Sequence, residues 1–260
     1  MNSEMLIHEM AVPVSAERHG DWSLEPANNF GCCALANSVP LMTVEFFNAA
    51  SEYAIVFGDT EAGVMPSVIL GLHRDENLYL TESGGWRAAY VPAFVRRYPF
   101  VYSLSDDASS FTLCVDESFP YFNIEGRGQR LFTPDKTPSP YLGRMLRYLE
   151  QYQREFDRTR SFCNKLLSFD LLEPICAEAA TGKDENVSLD GLMAVNRDKA
   201  RSLAAGKLSE LAQSDEFGLL QSHLHSMRNF LPVIDHSIGK ALVSLGRASV
   251  RGEEVASSGR

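Results

Sequence analysis

Short apolar runs, each bounded by polar or glycine-containing stretches, dominate the first half of the chain and predict β-strands. The predicted strands are residues 53–57, 67–72, 77–80, 100–104 and 111–115. The second and third runs, and the fourth and fifth, are separated by polar residues that favour turns, so each pair predicts an antiparallel hairpin. A short helix is predicted ahead of them at residues 45–50. Residues 11–39 lack sustained periodicity and are interpreted as an irregular arm with one edge strand.

Helical periodicity replaces this pattern in the second half of the chain. Thr137, Pro138, Ser139 and Pro140 form a helix-start signal. Apolar residues then follow mostly at spacings of three, four or seven, which predicts one long amphipathic helix. They are Leu142, Met145, Leu146, Leu149, Tyr152, Phe156, Cys163, Leu166 and Leu167.

Beyond this helix the apolar pattern predicts a hairpin and then three helices. The hairpin strands are residues 172–179 and 187–195, and the helices are residues 198–204, 208–214 and 217–230. Residues 244–260 are rich in Ser, Gly, Arg and Glu and predict a disordered tail.

These elements together predict the α+β class. We expect a single domain at residues 1–243, with a mainly antiparallel sheet in a sheet-rich part at 40–135. A helix-rich part at 138–243 contains the long amphipathic helix and the extra β-hairpin.

Composition excludes several classes of protein. The formal net charge of −10 argues against a broad nucleic-acid footprint. No apolar run reaches the ~20 residues that a membrane-spanning helix needs, and the N-terminal residues do not resemble a secretory signal, so we expect a cytoplasmic protein. The five cysteines show no CxxC or Cys/His ligand spacing, which predicts reduced thiols and no zinc site.

The densest group of candidate binding residues lies at residues 84–100, where aromatic side chains and arginines are bracketed by Pro92 and Pro99. The two prolines confine residues 92–97 to a short helical piece. The candidate ligand-binding residues are Trp86, Tyr90, Phe94, Arg96, Arg97 and Tyr98. They are suited to an apolar pocket with arginines at its rim for a peptide, an aromatic compound or an organic anion. The alternative is that they form a packed layer between the sheet and the long helix.

Candidates for catalysis are fewer. Asp116 and Glu117 follow an apolar run, where a carboxylate can act as acid or base, cap a turn or pair with Arg96 or Arg97. His223 and His225 are two residues apart, which places them on different faces of a helix and favours no metal site. Neither GxGxxG nor GxxxxGK[ST] is present, and no cofactor is predicted.

Several stretches of the chain resemble the bacterial SapC family, named for a locus associated with surface-layer proteins. The resemblance spans roughly residues 8–238 and is most specific at the double arginine followed by Tyr98, Pro99 and Phe100. The matching stretches are Pro40 and Leu41 with Glu45 and Phe46, residues 52–57, Trp86 with residues 90–100, and residues 113–117, 140–142, 159–163, 189–192 and 222–230.

The resemblance implies little about chemistry, because it carries no established catalytic residues. Relatives look to be encoded near outer-membrane uptake receptors and flavin-dependent halogenase-like proteins. This implies an accessory role in nutrient uptake or in a modification pathway.

Three hypotheses follow. The first is a non-catalytic cytoplasmic accessory protein that binds a peptide, a protein or a small organic ligand at the aromatic and arginine segment. The second is an enzyme whose acid or base is Asp116 or Glu117. The third is a structural or oligomeric surface-layer-related module, and all three leave the oligomeric state open.

Overall fold

A six-stranded antiparallel sheet forms the centre of the computed structural model, which describes residues 10–104, 111–180, 186–233 and 243–247. The strands are β1 (Ala11–Pro13), β2 (Ser23–Leu24), β3 (Ser38–Pro40), β4 (Ile55–Thr60), β5 (Gly63–Ile69), β6 (Phe100–Leu104), β7 (Phe111–Asp116), β8 (Phe122–Asn123), β9 (Gln129–Arg130), β10 (Leu172–Ala180), β11 (Asn186–Val195) and β12 (Val243–Arg247). The helices are α1 (Ala16–His19), α2 (Phe46–Ala49), α3 (Ala93–Arg96), α4 (Pro140–Ser168), α5 (Arg197–Arg201), α6 (Ala205–Gln213) and α7 (Glu216–Ser226). Short 3-10 helices lie at Gly31–Cys33, Thr43–Glu45 and Met227–Asn229. The predicted α+β class is confirmed.

The central sheet joins the two halves of the chain. Its strand order is β12-β10-β11-β4-β5-β3, and every pairing is antiparallel. The predicted hairpin of the second half, β10 with β11, continues the sheet because Leu192 and Met193 of β11 pair with Gly58 and Phe57 of β4. The sheet-rich and helix-rich parts therefore share one sheet, and the single domain at residues 1–243 stays a prediction.

Both faces of this sheet are covered at β4 and β5. Alternating side chains divide between the faces, as the pleat requires, so Ile55 and Phe57 belong to the main core while Ala54 and Val56 point to the other side. The main core receives side chains from α4, α6 and α7. The opposite face is covered by a second cluster that includes Phe230. Burial on both faces makes residues 53–57, which run into the first half of β4, a continuous apolar run.

A third core lies outside the central sheet. Two three-stranded sheets, β1-β7-β6 and β8-β2-β9, contribute to it with the first half of α4. The predicted hairpin of residues 100–104 and 111–115 is confirmed as β6 and β7, with Phe100 opposite Val115 and Leu104 opposite Phe111. The predicted edge strand of the N-terminal arm is present as β1, which pairs with β7. The arm is more regular than we predicted, since it also supplies β2 and β3.

The long helix α4 confirms the most regular pattern in the sequence. Ser139 is its N-cap and accepts a hydrogen bond from the backbone N–H of Leu142 at 3.2 Å, while Pro140 occupies the first turn. Phe162 is buried, although it was absent from the predicted apolar face, and Leu167 is 43% exposed. The 3.6-residue period turns position 167 away from the core face that Phe162, Cys163 and Leu166 share. In the described part of the chain, no helix combines the length and the apolar character needed to cross a membrane.

One predicted hairpin is wrong. Residues 77–80 form no β-ladder with residues 67–72, because β5 lies between β4 and β3 in the sheet, although the N–H of Leu78 donates to the carbonyl of Leu70 at 2.9 Å. The tight turn is at Glu61 and Ala62, between Thr60 and Gly63, and Gly63 has a φ of 96°. The side chain of Asn77 instead holds a turn by accepting from the N–H of Tyr79 at 3.0 Å and donating to the carbonyl of Cys33 at 2.9 Å.

The expected tail also needs correction at its start. Val243–Arg247 forms β12 and pairs with β10, so the backbone at residue 244 is part of the sheet edge. The remainder of that expectation, residues 248–260, lies outside the described residues.

Two glutamates anchor the segment of residues 84–100, and the first is Glu52. Its carboxylate accepts hydrogen bonds from the backbone N–H groups of Ala89 and Tyr90 at 2.8 and 2.9 Å. The hydroxyl of the neighbouring Tyr53 donates to the carbonyl of Tyr90 and accepts from Nε1 of Trp86 at 2.6 Å. The start of the segment is thus held at several consecutive backbone groups.

The second anchor is Glu45, which is only 3% exposed. Its Oε1 accepts from the backbone N–H of Ala93 at 2.7 Å and from the hydroxyl of Tyr90 at 2.8 Å. Its Oε2 accepts from the N–H of Met42 at 2.9 Å. Burial raises the pKa of Glu45, and these hydrogen bonds offset part of the rise. All three partners are donors, so the geometry is that of an ionised carboxylate.

The turn that begins the segment requires a glycine at one position. Gly84 has a φ of 82°, which is in the left-handed region. A Cβ there would lie 2.6 Å from Oδ1 of Asn29. The carbonyl of Gly84 accepts from the N–H of Phe30 at 2.8 Å, and this close approach brings residues 29–33 against the segment.

We predict that Glu45→Gln lowers the free energy of unfolding by about 2–4 kcal/mol, because an amide offers one acceptor where donors approach both oxygens. Urea unfolding measures the change. Glu82→Gln, at an exposed position just before the segment, is the matched control and is expected to change stability by less than about 0.5 kcal/mol. Equal stability of the two variants would contradict the role of Glu45 as an anchor.

Helix α7 contains a buried histidine that faces the central sheet. The Nε2 atom of His223 accepts from the N–H of Val195 at 2.9 Å, which assigns the ring proton to Nδ1. The ring lies 5.0 Å from that of Phe57. Burial lowers the pKa of His223 to about 4. The folded protein therefore keeps this side chain neutral where the unfolded chain takes up a proton.

We predict that the free energy of unfolding falls by roughly 3 kcal/mol through His223 as the pH drops from 6.5 to about 4. Over this window the unfolded chain binds the proton and the folded chain does not. His223→Gln keeps an acceptor for the Val195 N–H but cannot titrate, so its stability should fall less than that of the wild type between pH 7 and pH 4.5. His225→Gln, at an exposed position of the same helix, should retain the wild-type slope, and identical slopes for all three proteins would refute this prediction.

Candidate functional site

The two adjacent arginines of the segment point into different parts of the molecule. Arg96 ends α3 and Arg97 follows it in helical geometry, so their side chains leave the backbone about 100° apart. Arg96 is exposed, whereas Arg97 is 3% exposed. A short helix thus distributes two positive charges to two separate cavities, one on each side.

The first cavity, here called the Arg96 cleft, has a volume of about 410 Å³. Four parts of the chain build it: the stretch before β3, α3 with its C-terminal flank, the turn after β7, and α4. Its lining residues are Ala27, Asn29, Phe30, Cys32, Val95, Arg96, Tyr98, Phe119, Met145 and Tyr148. The wall is mainly aromatic and apolar, with the guanidinium of Arg96 as its one formal charge among these residues.

Aromatic rings and a carbonyl position the guanidinium of Arg96. Its Nε donates to the carbonyl of Val91 at 2.9 Å, and its carbon atom Cζ lies 5.7 and 5.8 Å from the ring centroids of Tyr90 and Tyr148. Among the described residues, no carboxylate forms an ion pair with Arg96. The charge is therefore held in place at the cleft wall and accessible to solvent.

Tyr98 forms the other polar part of the same wall. Its ring packs edge-on against Phe119 at 5.1 Å, and its hydroxyl donates to Oδ2 of Asp116 at 3.4 Å. Burial, with a contribution from Asp116, raises the pKa of Tyr98, so the phenol stays protonated at neutral pH. The cleft thus offers one fixed cation, while the hydroxyls of Tyr98 and Tyr148 donate to Asp116 and to the carbonyl of Ala93.

The second cavity, here called the Arg97 cavity, has a volume of about 460 Å³ and lies beside β4, β5 and α4. The Cζ atom of Arg97 lies 4.4 Å from the ring centroid of Phe94 and 4.8 Å from that of Tyr152. The guanidinium is therefore packed between two rings. Asp59, near the end of β4, and Glu61, in the β4–β5 turn, are among the residues that line this cavity.

The structure separates the six predicted binding residues into three groups. Arg96 and Tyr98 meet in the Arg96 cleft, and Phe94 and Arg97 meet in the Arg97 cavity. Trp86 and Tyr90 line neither. Trp86 stacks on Tyr79, and Tyr90 donates to Glu45, so both brace the segment. In the described part of the chain, neither of these two cavities is lined by all six side chains.

The first candidate acid or base, Asp116, is completely buried at the end of β7. The backbone N–H and the hydroxyl of Ser118 donate to its Oδ1 at 3.0 and 2.7 Å, and the N–H of Met10 donates at 3.2 Å. This is the geometry of a turn cap that also orients Tyr98. Asp116 is not among the residues lining either cavity.

The second candidate, Glu117, lies in an ion-pair cluster on the opposite side of that turn. Arg18 contacts both of its oxygens at 2.5 Å, and Nε2 of the buried His19 lies 2.9 Å from Oε1. The hydrogen bonds and charge of Arg18, with those of His19, hold the pKa of Glu117 below its usual value. A pKa lowered in this way moves the group further from neutral pH, where acid–base catalysis is most effective. Neither carboxylate pairs with Arg96, and Glu117 lines neither cavity.

Sequence reasoning missed most of the Arg96 cleft. Phe30, Cys32, Met145 and Tyr148 reach it from segments far apart along the chain. Glu45 was a usable signal for the anchor, since it stands alone as a charge among Val44, Phe46 and Phe47.

His223 is buried in the core and His225 is exposed, in accordance with the different faces predicted for them. Within the described ranges, no cluster of three or more His, Cys, Asp or Glu side chains has the arrangement of a metal site.

Comparison with known proteins gives one match. The model of the SapC family matches residues 14–231. Neither the curated proteins nor the solved structures contain a protein that matches the chain. The match covers most of the chain and includes the double-arginine segment, both glutamate anchors and the residues of the Arg96 cleft. The chain belongs to the SapC family.

Proposed function

We propose that the protein is a non-catalytic accessory protein that binds a small organic anion with an aromatic or apolar body in the Arg96 cleft. The observation that carries the proposal is a positioned, solvent-accessible guanidinium at the wall of a 410 Å³ aromatic cleft. Small-molecule sites are typically apolar concavities of roughly 300–1,000 Å³ with a few placed polar groups. This cleft has that composition.

The roles of the lining residues follow from their chemistry. Arg96 pairs with the anionic group of the ligand, since a guanidinium matches a carboxylate in geometry and charge. The hydroxyl of Tyr98 donates its proton to Asp116, so Tyr98 contributes its ring to the cleft wall rather than a donor to the anion. Phe30, Phe119 and Tyr148 provide ring faces and edges for the apolar body.

A small anion fits this cleft better than a nucleic acid or another large polyanion. The protein has a formal net charge of −10, so long-range electrostatics oppose the approach of a polyanion. A single fixed cation in an apolar wall discriminates by short-range pairing instead. We place this role in the cytoplasm because Cys32, Cys33, Cys114 and Cys163 are free thiols. The placement in a nutrient-uptake or modification pathway rests on the family resemblance alone.

Calorimetric titration with a panel of aryl and arylalkyl carboxylates, each matched with its neutral primary amide, tests the proposal. We expect wild-type protein to bind members of the carboxylate series more tightly than their amides. Arg96→Ala should weaken carboxylate binding by roughly 10- to 100-fold, the effect of losing one charge-assisted hydrogen-bonded pair. Arg96→Lys should lie between the two, because it keeps the charge and loses the planar fork.

The matched control is Arg154→Ala, which removes an exposed arginine of α4 that does not line the Arg96 cleft. It should bind the carboxylates as the wild type does. Equal affinity for carboxylates and amides, or equal weakening by the Arg96 and Arg154 substitutions, would rule out the Arg96 cleft as an anion site.

A further inference from the structure

Two adjacent cysteines lie at the wall of the Arg96 cleft. Cys32 and Cys33 end the 3-10 helix Gly31–Cys33, and their Sγ atoms are 3.7 Å apart. A disulfide requires about 2.05 Å between sulfurs, so this separation is that of two thiols in hydrogen-bond contact. The carbonyl of Cys33 accepts from the side chain of Asn77 at 2.9 Å, which holds the pair in place.

The two thiols have different environments. Cys32 is partly exposed and lines the cleft, whereas Cys33 is completely buried. The hydrogen bond to Cys32, together with burial, raises the pKa of Cys33. Cys33 therefore remains a thiol, and its S–H can donate to the sulfur of Cys32. The pair combines one accessible sulfur with one buried donor behind it.

The Arg96 cleft places a positive charge in the same cavity as the accessible sulfur of Cys32. Arg96 and Cys32 both line this space of about 410 Å³. The same positive charge attracts anions. Cys114 and Cys163 have no such setting: they are 4% and 0% exposed, and burial raises the pKa of both thiols.

We propose that Cys32 is a site of thiol–disulfide exchange with low-molecular-weight disulfides that carry carboxylates, and that Arg96 selects them by their charge. The Cys32 thiolate attacks one sulfur of the disulfide and forms a new S–S bond as the original S–S bond breaks. The other half leaves as a thiolate and takes a proton from solvent. Cys32 is oxidised to a mixed disulfide and the departing half is reduced to a thiol. This inference rests on the proposed function, since it uses the anion affinity of the same cleft.

Glutathione disulfide, which has a net negative charge, and cystamine, which has a net positive charge, are the two probes. Intact-mass spectrometry measures the rate of adduct formation with each, and peptide mapping identifies the modified cysteine. Wild-type protein should form a single glutathione adduct at Cys32, and Cys32→Ser should abolish it. Arg96→Ala should lower the ratio of the glutathione disulfide rate to the cystamine rate by roughly 10-fold, whereas Arg154→Ala should leave the ratio unchanged.

Two variants test whether Cys33 acts as a hydrogen-bond donor to Cys32. Cys33→Ser keeps a donor behind Cys32, and Cys33→Ala removes it. We expect Cys33→Ala to react more slowly than Cys33→Ser with both probes, because only the serine can stabilise the Cys32 thiolate. Near-UV circular dichroism verifies that both variants are folded.

Modification mainly at a cysteine other than Cys32, or a rate ratio that does not change in Arg96→Ala, would overturn this inference. The carboxylate titration of the wild-type protein with both thiols reduced separates it from the proposed function. If the protein binds carboxylates but Cys32 reacts with no preference between the two probes, only the exchange proposal fails. Absence of carboxylate binding with a preserved, Arg96-dependent ratio defeats the proposed function and leaves Cys32 as the site of exchange.

Discussion

The buried carboxylate of Glu45 is the constraint on which the signature segment depends. It receives hydrogen bonds from Met42, Tyr90 and Ala93, and so joins the turn before α2 to the first residue of α3. Burying a carboxylate costs several kcal/mol unless donors replace its water shell. Since the donors come from two separate parts of the chain, the charge is accommodated only when those parts are assembled. The position and direction of α3 follow from that requirement.

Once α3 is fixed, the adjacent arginines must diverge, and the aromatic residues of the segment divide into two kinds. Trp86 and Tyr90 use their polar atoms on Tyr53 and Glu45, and so brace the backbone. The ring of Tyr98 instead lines the Arg96 cleft. Its hydroxyl donates to Asp116 at the end of β7, and this bond orients the ring. The carboxylate first considered as a catalyst therefore acts on the site indirectly, through the ring that it orients.

The sequence predicted those elements whose signal is local. Helix α4 and the hairpins β6–β7 and β10–β11 were predicted because their periods and turns lie within single stretches of chain. Residues 77–80 look like a strand, yet the polar side chain of Asn77 holds them in a turn and β5 has its partners elsewhere. The Arg96 cleft could not be predicted from the sequence for a different reason. Residues such as Phe30, Phe119 and Tyr148 meet only through tertiary packing, and no spacing in the sequence records that contact.

The combination of a strongly acidic chain with one positioned cation in an aromatic cleft limits what the site can recognise. At physiological ionic strength, charges separated by more than about 8 Å are largely screened, so the net charge acts weakly on a molecule that has already entered. Inside the cleft, Arg96 acts at contact distance and in an apolar wall, where an ion pair is stronger than in water. The acidic exterior disfavours ligands with many negative charges. The cleft therefore selects ligands with one anionic group, which pairs with Arg96, and one ring-sized apolar body, which fits the aromatic wall.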